Sequence, residues 1–386
     1  MLKLSGYIDP IQQRADAQTS LLTVTTDPFL PGAIRERFAL LSDQPRDGLG
    51  YGIQLVTNGW ESIDPSLAEA TIYRLPDHFN YLRTGDIVYI DPSRHFLNTV
   101  FRKGSYHNSI LLTEQCNNYC LMCSQPPKKM DDRYLLRRAF ELVKLIPNET
   151  PRITFTGGEP TLYGESLIEL IKQTKLQLPN TSVDVLSNGR RFKDREFARS
   201  LSAIKHPNCM IAIPVYSDDP VRHDYVVQAR GAFDETIQGI LNLKRFGQKV
   251  EIRIVVHKQT IDGLVKTCEF ICRNLLFVDH VALMGLEITG FTRANLDLLW
   301  IDPYDYKDTL SEAAHVLNSY GMNCSVYNHQ LCVVNQDIEE NYCKSISDWK
   351  NEYLESCAPC ARRSECGGFF SSSKLYKRSS HITPFL

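Results

Sequence analysis

The chain has 386 residues, of which 43% are hydrophobic and 23% are charged, with 21 Gly and 19 Pro. These values are typical of a globular protein and exclude disordered, collagen-like and coiled-coil classes. The 43 Lys and Arg residues nearly balance the 45 Asp and Glu residues, and the formal charge of -2 indicates no global affinity for nucleic acid or anionic membranes.

The first residues carry no sign of export or membrane insertion. The stretch MLKLSGYIDP lacks the apolar core of a signal peptide, and every apolar run is shorter than the ~20 residues that a membrane span needs. We therefore expect a soluble cytoplasmic protein without a membrane or nucleic-acid partner. Twelve cysteines in such a compartment indicate metal binding, catalysis or burial rather than disulfides.

Residues 1 to 105 contain short strand-like pieces, such as Gly52 to Val56 and Gly85 to Ile90, between turns rich in Pro, Asp and Gly. This pattern predicts a small β-rich domain, for which the sequence indicates no role.

Residues 106 to 320 alternate short apolar runs with amphipathic stretches, which is typical of βα units around a parallel sheet. Six such units are too few for a closed eight-stranded barrel, so a partial barrel and a doubly wound sheet both remain open. Either fold places its site at the carboxyl ends of the strands. The predicted strands are Ser109 to Thr113, Arg152 to Thr156, Ser182 to Ser187, Met210 to Tyr216, Glu251 to His257 and His280 to Glu287. The predicted helices are Asp131 to Ile146, Glu165 to Leu176, Asp194 to Ile204, Asp234 to Phe246, Ile261 to Leu275 and Pro303 to Tyr320.

Residues 321 to 386 are rich in Cys and Ser and have no long periodic element. A segment of this kind can hardly fill a core alone, and a metal centre would order it. We therefore predict a Cys-rich extension that follows the βα region.

The first cysteine group lies directly after the first predicted strand of the βα region. Cys116, Cys120 and Cys123 are spaced CxxxCxxC on one short loop. Three thiolates can hold three irons of a cubane cluster and leave the fourth iron open to an external ligand. A zinc site would need a distant fourth ligand, and the spacing alone leaves both metals open.

These cysteines resemble the hallmark of the radical S-adenosylmethionine (radical SAM) enzymes, which carry CxxxCxxC after the first strand of a partial (β/α)6 TIM-like barrel. A second stretch, Thr156-Gly157-Gly158-Glu159-Pro160, is similar to the GGEP motif of that family and follows the second strand. The resemblance implies that the cofactor-binding residues are Met122, Gly157, Gly158, Glu159, Pro160, Ser187, Asn188 and Arg253. Taken alone, Gly157 to Pro160 and Asn188-Gly189 also fit ordinary turns. Arg253 and Glu287 also fit structural ion pairs.

The resemblance implies a [4Fe-4S] cluster on the catalytic residues Cys116, Cys120 and Cys123, with S-adenosylmethionine (SAM) on its open iron. An electron donor such as flavodoxin or ferredoxin would supply one electron, and the 5'-deoxyadenosyl radical formed from SAM would take a hydrogen atom from the substrate. The cofactor carries the chemistry, and the protein positions it and excludes water.

The second cysteine group is Cys357, Cys360 and Cys366, spaced CxxCxxxxxC. A closed four-thiolate site needs one further ligand, for which Cys332 is preferred and Cys343 is the alternative. The spacing is similar to the SPASM and twitch extensions of radical SAM enzymes, which hold auxiliary [4Fe-4S] clusters, although Phe370 stands where the fourth Cys of that run would be. A zinc site remains the alternative.

Three further stretches resemble the His-Xaa-Ser system radical SAM maturases. They are Cys120 to Pro127, Ser345 to Lys350 and Glu365 to Phe370. This resemblance implies oxidoreductase-type, post-translational modification of a ribosomally made precursor peptide with His-Xaa-Ser repeats, beside a partner maturase. The alternatives are a radical SAM enzyme that acts on a small molecule in cofactor biosynthesis and a non-catalytic, zinc-stabilised binding module. The remaining cysteines, Cys209, Cys268, Cys272 and Cys324, are predicted to be core or surface thiols.

Overall fold

The structure is a computed structural model that describes residues 2–46, 49–57, 70–344 and 351–386. The stretch Ser345 to Lys350, which carries part of the closer resemblance, lies outside the described residues.

The amino-terminal region forms an eight-stranded mixed sheet in the order β1-β8-β7-β3-β4-β5-β6-β2. Its strands are β1 Ser5–Tyr7, β2 Asp9–Gln12, β3 Ser20–Thr25, β4 Phe38–Ser42, β5 Ile53–Val56, β6 Thr71–Arg74, β7 Ile87–Asp91 and β8 Phe96–Phe101. The two strand-like pieces predicted in this region correspond to β5 and β7.

The first two strands close this sheet into a barrel. β1 pairs with β8 at one end of the sheet and β2 pairs with β6 at the other end, although Ile8 alone separates them in the chain. The two ends of the sheet must therefore lie side by side. The interior of the barrel is filled by a separate apolar cluster that includes Ile8, Val24, Leu55 and Leu97. Burial of these side chains gives the region a core of its own.

The βα region forms one parallel sheet of seven strands in the order β15-β14-β13-β12-β11-β10-β9. The strands are β9 His107–Thr113, β10 Arg152–Gly157, β11 Ser182–Leu186, β12 Cys209–Pro214, β13 Lys249–Val256, β14 His280–Gly285 and β15 Cys324–Tyr327. Each strand pairs with its predecessor, whereas a doubly wound sheet reverses its order near the middle. The sheet is therefore a curled half-barrel, and the doubly wound alternative is wrong.

The helices of this region are α1 Arg133–Leu145, α2 Glu165–Gln177, α3 Arg195–Ser202, α4 Pro220–Val227, α5 Ala232–Arg245, α6 Leu264–Asn274, α7 Phe291–Ala294, α8 Leu296–Leu299 and α9 Lys307–Ser319. The helices α1, α2, α3, α5, α6 and α9 pack on the outer face of the sheet, whereas α4, α7 and α8 lie beside the cysteine loop that follows β9. The extension adds β16 Asn351–Glu352, which pairs with β17 Phe369–Phe370, and α10 Ser371–Leu375. No helix of the residues that the structure describes is long and apolar enough to cross a membrane.

Alternation along the strands decides which side chains face the helices. On β10, Ile153 and Phe155 belong to the main apolar core, whereas Thr154 and Thr156 line the inside of the half-barrel. This period of two leaves a polar inner surface within a sheet whose outer face is apolar. The amino-terminal barrel packs on the outside, where the guanidinium of Arg138 on α1 lies 4.8 Å from the ring centroid of Tyr89.

Candidate functional site

The half-barrel encloses a cavity of about 390 Å³ that runs from the start of β9 to the loop after it. Three elements line it: inward side chains of the strands, the cysteine loop, and Phe370 of the extension. The lining residues are His107, Ser109, Met122, Ser124, Gln125, Thr154, Thr156, Leu186, Arg253, Val255, Met284, Gly285, Leu286, Glu287, Asn328 and Phe370. Of the predicted cofactor-binding residues, Met122 and Arg253 lie on this wall.

The cysteine loop that follows β9 is attached to α4 on one side. The backbone N–H groups of Tyr119 and Leu121 donate to the carbonyl oxygens of Val227 and Val226 at 3.0 and 2.9 Å. These two hydrogen bonds attach the loop to α4 beyond the end of β9. The sequence did not predict this helix.

The segment after β14 holds the same loop from a second side. The backbone N–H of Phe291 donates to the carbonyl oxygen of Cys123 at 2.8 Å, and the Thr292 hydroxyl donates to that of Met122 at 3.1 Å. The Asn295 side chain donates to the carbonyl oxygen of Leu121 at 2.8 Å. These bonds fix the loop from the far half of the barrel.

The buried carboxylate of Asp132 organises the start of the loop. It accepts hydrogen bonds from the Thr113 hydroxyl (2.9 Å), the backbone N–H of Glu114 (2.5 Å), the Gln115 side chain (3.0 Å) and the Tyr163 hydroxyl (2.8 Å). Burial raises the pKa of Asp132, but these hydrogen bonds together bring the pKa below its usual value. Asp132 therefore stays ionised and joins β9, the cysteine loop and the turn that carries Tyr163.

The backbone at the end of β9 and in the cysteine loop leaves no room for a side chain at either glycine of the GGEP stretch. A Cβ added to Gly157, whose φ is +152°, would lie 2.3 Å from the carbonyl oxygen of Thr113. A Cβ on Gly158 would lie 2.1 Å from the carbonyl oxygen of Gln115 and 3.1 Å from the Cβ of Cys116. The close approach therefore brings the two motifs together at the end of β9.

Glu159, which follows β10, is hydrogen-bonded to residues that follow the neighbouring strand β11. Its buried carboxylate accepts hydrogen bonds from the hydroxyl and backbone N–H of Thr161 (2.5 and 3.0 Å), the Ser187 hydroxyl (2.8 Å) and the backbone N–H of Asn188 (2.6 Å). Burial raises the pKa of Glu159 despite these four donors. Two of the sequence-predicted stretches therefore meet through this side chain. The predicted residues Gly157, Gly158, Glu159, Pro160, Ser187 and Asn188 stand behind the loop and are not among the residues that line the described cavity.

The three thiols of the loop are half-buried. Burial raises the pKa of Cys116 to about 11, and it also raises the pKa of Cys120 and Cys123. The backbone N–H of Asn118 donates to the sulfur of Cys116 at 3.4 Å, a contact of the kind that stabilises a cluster-bound thiolate. Among the described residues, no three His, Cys, Asp or Glu side chains are grouped as ligands of a single metal ion.

Arg253 and Glu287, for which the sequence left two interpretations open, both line the cavity. The guanidinium of Arg253 also donates to Glu251 at 2.5 Å, and Glu251 contacts His280 at 2.9 Å. Burial raises the pKa of Glu251, but the interactions with Arg253 and His280 bring it to about 2. Arg253 is therefore both a wall residue and a member of an ion pair.

The second cysteine group surrounds a separate small pocket. Cys332, Cys357, Cys360 and Cys366 line it together, whereas Cys343 is not among its lining residues. The backbone N–H groups of Leu331 and Gly368 both donate to the sulfur of Cys366 at 3.4 Å. This arrangement favours Cys332 as the fourth thiol. The same pocket is covered by Ile382, Pro384 and Phe385.

The other cysteines lie elsewhere. Cys209, Cys268 and Cys272 are buried and Cys324 is half-buried. Cys343 lies alongside β15, and its backbone N–H donates to the carbonyl oxygen of Val326 in that strand at 2.8 Å.

Several residues of the site were missed from the sequence. His107 lines the cavity and hydrogen-bonds Thr154, and burial lowers the pKa of its imidazole to about 4. The available signal was the alternation of polar with apolar residues on β9 and β10, which marks an inward polar face. The sequence around Asp132 indicated only the start of a helix. Its hydrogen-bond partners are 17 to 31 residues away in the chain, so no local pattern revealed its role.

Comparison with known proteins identifies the central region. Residues 110–271 match the family model described as the radical SAM superfamily. This match covers less than half of the chain, and over these residues the chain is similar to that family. Curated relatives include the GTP 3',8-cyclase of Aquifex aeolicus (strain VF5), 28% identical over 215 residues that cover 54% of this chain and 62% of the relative. Another is the pyruvate formate-lyase-activating enzyme of Clostridium pasteurianum, 23% identical over 201 residues that cover 49% of this chain and 80% of the relative.

The chain thus spans less than two thirds of the length of the cyclase. Among solved structures, SuiB of Streptococcus suis bound to S-adenosylmethionine aligns with a TM-score of 0.44 and 17% identity, over 57% of this chain and 50% of that chain.

Proposed function

We propose that the protein is a radical SAM enzyme that holds a [4Fe-4S] cluster on Cys116, Cys120 and Cys123. The observation that carries this proposal is the position of the cysteine loop. This loop lies within residues 110–271, which match the radical SAM superfamily, and α4, Asp132 and the segment after β14 hold it beside the cavity.

The donor set and its surroundings fit a cluster. Three soft thiol ligands on one loop suit iron and leave one iron without a protein ligand. The cavity beside Met122 offers room for SAM and substrate on the inner side of the loop. When bound, the reduced cluster supplies the electron that cleaves SAM to methionine and the 5'-deoxyadenosyl radical, which takes a hydrogen atom from the substrate.

The residues of the chain position these partners. Arg253 and Glu287 offer a cation and a carboxylate to polar groups in the cavity, and neutral His107 offers an imidazole at its far end. The backbone of Gly157 and Gly158 leaves no space between the GGEP stretch and the loop. The resemblance assigns Glu159, Ser187 and Asn188 to the SAM site. In the structure Glu159 is hydrogen-bonded to the other two residues behind the cysteine loop.

We further propose that Cys332, Cys357, Cys360 and Cys366 hold an auxiliary [4Fe-4S] cluster. The four thiols share one pocket, and two backbone donors point at the sulfur of Cys366. Four thiolates satisfy zinc as well, so metal analysis separates the two.

We propose a ribosomally made peptide with His-Xaa-Ser repeats as the substrate, modified beside a partner maturase. This proposal rests on the sequence resemblance of Cys120 to Pro127 and Glu365 to Phe370, and Phe370 lines the cavity. The second candidate is a small molecule, which the likeness to the GTP 3',8-cyclase supports.

The test is anaerobic reconstitution followed by incubation with SAM, dithionite and either the precursor peptide or GTP. We expect roughly eight irons per chain for two cubane clusters, 5'-deoxyadenosine as a product, and a mass change in the peptide. Stoichiometric zinc without iron would support the binding module instead. A product from GTP with an unmodified peptide would move the substrate to the small-molecule class.

A further inference from the structure

Residues 377–385, which follow α10, run across the second cysteine pocket without forming a helix or a strand. We call this segment the strap. Its side chains Ile382, Pro384 and Phe385 are half-buried and line the pocket that the four thiols of the second site share. The backbone of Thr383 interacts with one of these thiols and opposes the rise in its pKa that burial causes. The strap therefore lies against the proposed metal ligands.

One end of the strap is bound to the loop that carries the thiols. The backbone N–H of Ala361 donates to the carbonyl oxygen of Phe385 at 2.7 Å. The guanidinium of Arg362 lies 5.3 Å from the centroid of the Phe385 ring, and a cation is attracted to the face of an aromatic ring. Arg362 in turn donates to Glu339 at 3.0 Å and to Glu365 at 2.6 Å. This end of the strap is therefore held by groups whose own positions are fixed.

The other end of the strap is bound to the half-barrel. The backbone N–H of Ser380 donates to the carboxylate of Asp302 at 3.2 Å. The imidazole of His381 stacks on the ring of Tyr304, with the centroids 3.9 Å apart and an angle of 12° between the planes. None of these four residues is among the described residues that line the pocket. The strap is thus attached at two places, of which one is separate from the thiols.

The pocket beneath the strap is small. Its free volume is about 20 Å³, little more than one water molecule needs, so a chelator cannot enter while the strap is in place. A metal site needs an entry path, and part of the wall therefore has to move when metal is exchanged. A segment without ladder or helix hydrogen bonds opens at a low cost in free energy. The strap has this character, and it covers the thiols.

We propose that the strap is a gate on the second cysteine pocket, and that metal enters or leaves the four thiols only when residues 377–385 move away from them. The proposal rests on the proposed function in so far as a metal centre has to occupy these thiols, and it holds for iron and zinc alike. Because the strap is also attached at Asp302 and Tyr304, retention of the metal depends on contacts made outside the pocket. The half-barrel and the extension are coupled in this way.

The test measures release of zinc from the second pocket alone. The full-length background protein carries Cys116→Ala, Cys120→Ala and Cys123→Ala, and it is loaded with stoichiometric zinc. Adding Cys360→Ala to this background identifies the zinc held by the second group, because that zinc alone is lost. The loaded protein is mixed with an excess of a chromogenic chelator, whose absorbance follows the release. Hydrogen–deuterium exchange of residues 377–385 reports the opening of the strap in the same samples.

Two variants loosen the strap at different places. Phe385→Ala removes the ring that lies over the pocket, and His381→Ala removes the stacking on Tyr304. We expect each variant to speed zinc release about three- to tenfold and to speed exchange of the strap, because each loses an aromatic contact that holds the closed state. The matched control is Leu386→Ala, since the side chain of Leu386 is 98% exposed. Its release and exchange rates should equal those of the background protein.

Release at the background rate from both strap variants would overturn the gate. Faster release from Phe385→Ala alone would also overturn it, because the ring would then act only by local packing on the thiols. If the background protein binds neither zinc nor iron, the auxiliary metal centre fails and the gate fails with it. The radical SAM assignment is judged separately, by formation of 5'-deoxyadenosine in the protein that keeps Cys116, Cys120 and Cys123.

Discussion

The two cysteine groups are held in different ways. The loop of Cys116, Cys120 and Cys123 is fixed by hydrogen bonds to α4, Asp132 and the segment after β14, and Met122 of the loop packs in a small apolar cluster with Val226, Val227 and Leu299. The group of Cys357, Cys360 and Cys366 lies among short turns. The two-residue strand β16 precedes it, and the two-residue strand β17 and the five-residue helix α10 follow it. The first site is therefore built by the fold, whereas we infer that the second depends on its metal for order.

The largest effect is expected from Cys116→Ala. Loss of one of three ligands should abolish formation of 5'-deoxyadenosine, because the remaining two thiols cannot hold the open cluster. The free energy of unfolding should change by less than about 1 kcal/mol, since protein hydrogen bonds hold the loop. Product formation at the wild-type rate would contradict the assignment of Cys116 as a ligand. A much larger fall in the free energy of unfolding would contradict the claim that the fold alone holds this loop.

The matching change in the second group is Cys360→Ala. We expect the iron content to fall by about half and residues 351–386 to become sensitive to protease, because their order depends on the metal. Cleavage of SAM without substrate should continue. Full iron content would assign the second pocket to another role, and Cys343→Ala is the control that should leave the iron content unchanged.

A third prediction concerns the buried carboxylate that organises the first loop. Asp132→Asn replaces an acceptor by a group that also donates, and the loss of charge-assisted hydrogen bonds should cost about 2–3 kcal/mol. Because the pKa of Asp132 is lowered on folding, its stabilisation is complete above the unfolded value near ~4 and is lost as the pH falls through the folded value. Chemical unfolding of both proteins from pH 7 to pH 3 measures this. A difference that does not shrink in acid would contradict the account.

The smallest effect is expected where the two motifs touch. Gly158→Ala places a Cβ 2.1 Å from the carbonyl oxygen of Gln115 and should destabilise the protein by about 1–3 kcal/mol while lowering iron occupancy of the first site. The control is Gly52→Ala, where a Cβ has no neighbour within 4 Å and stability should change by about 0.5 kcal/mol or less. Equal effects of the two substitutions would show that the contact is unimportant.

Much of the half-barrel was predicted because its strands carry continuous apolar runs. The six predicted strands correspond to β9 to β14, and the helices of the long amphipathic stretches begin and end within a few residues of their predicted bounds. The seventh strand, Cys324–Tyr327, was missed because it is four residues long and Val326 alone is buried. It extends the sheet beyond residue 320, where the predicted barrel region ended.

Features that depend on contacts distant in the chain were not predictable from local patterns. Closure of the amino-terminal barrel depends on pairing of Asp9–Gln12 with Thr71–Arg74, and nothing in either stretch specifies the other. The spacing of the cysteines located the first loop, but it did not reveal the support from Asp132 or from α4. The sequence indicated cofactor binding or a turn for the glycines of the GGEP stretch, and it did not reveal that the cysteine loop lies against them.

The central claim is that Cys116, Cys120 and Cys123 present an iron with an open coordination site to SAM. The most direct test is electron paramagnetic resonance of the reduced, iron-loaded Cys360→Ala protein, in which the first centre remains alone. We predict a cubane signal that changes when SAM is added and that is absent from the variant that also carries Cys116→Ala. A cubane signal that is identical with and without SAM would contradict the claim.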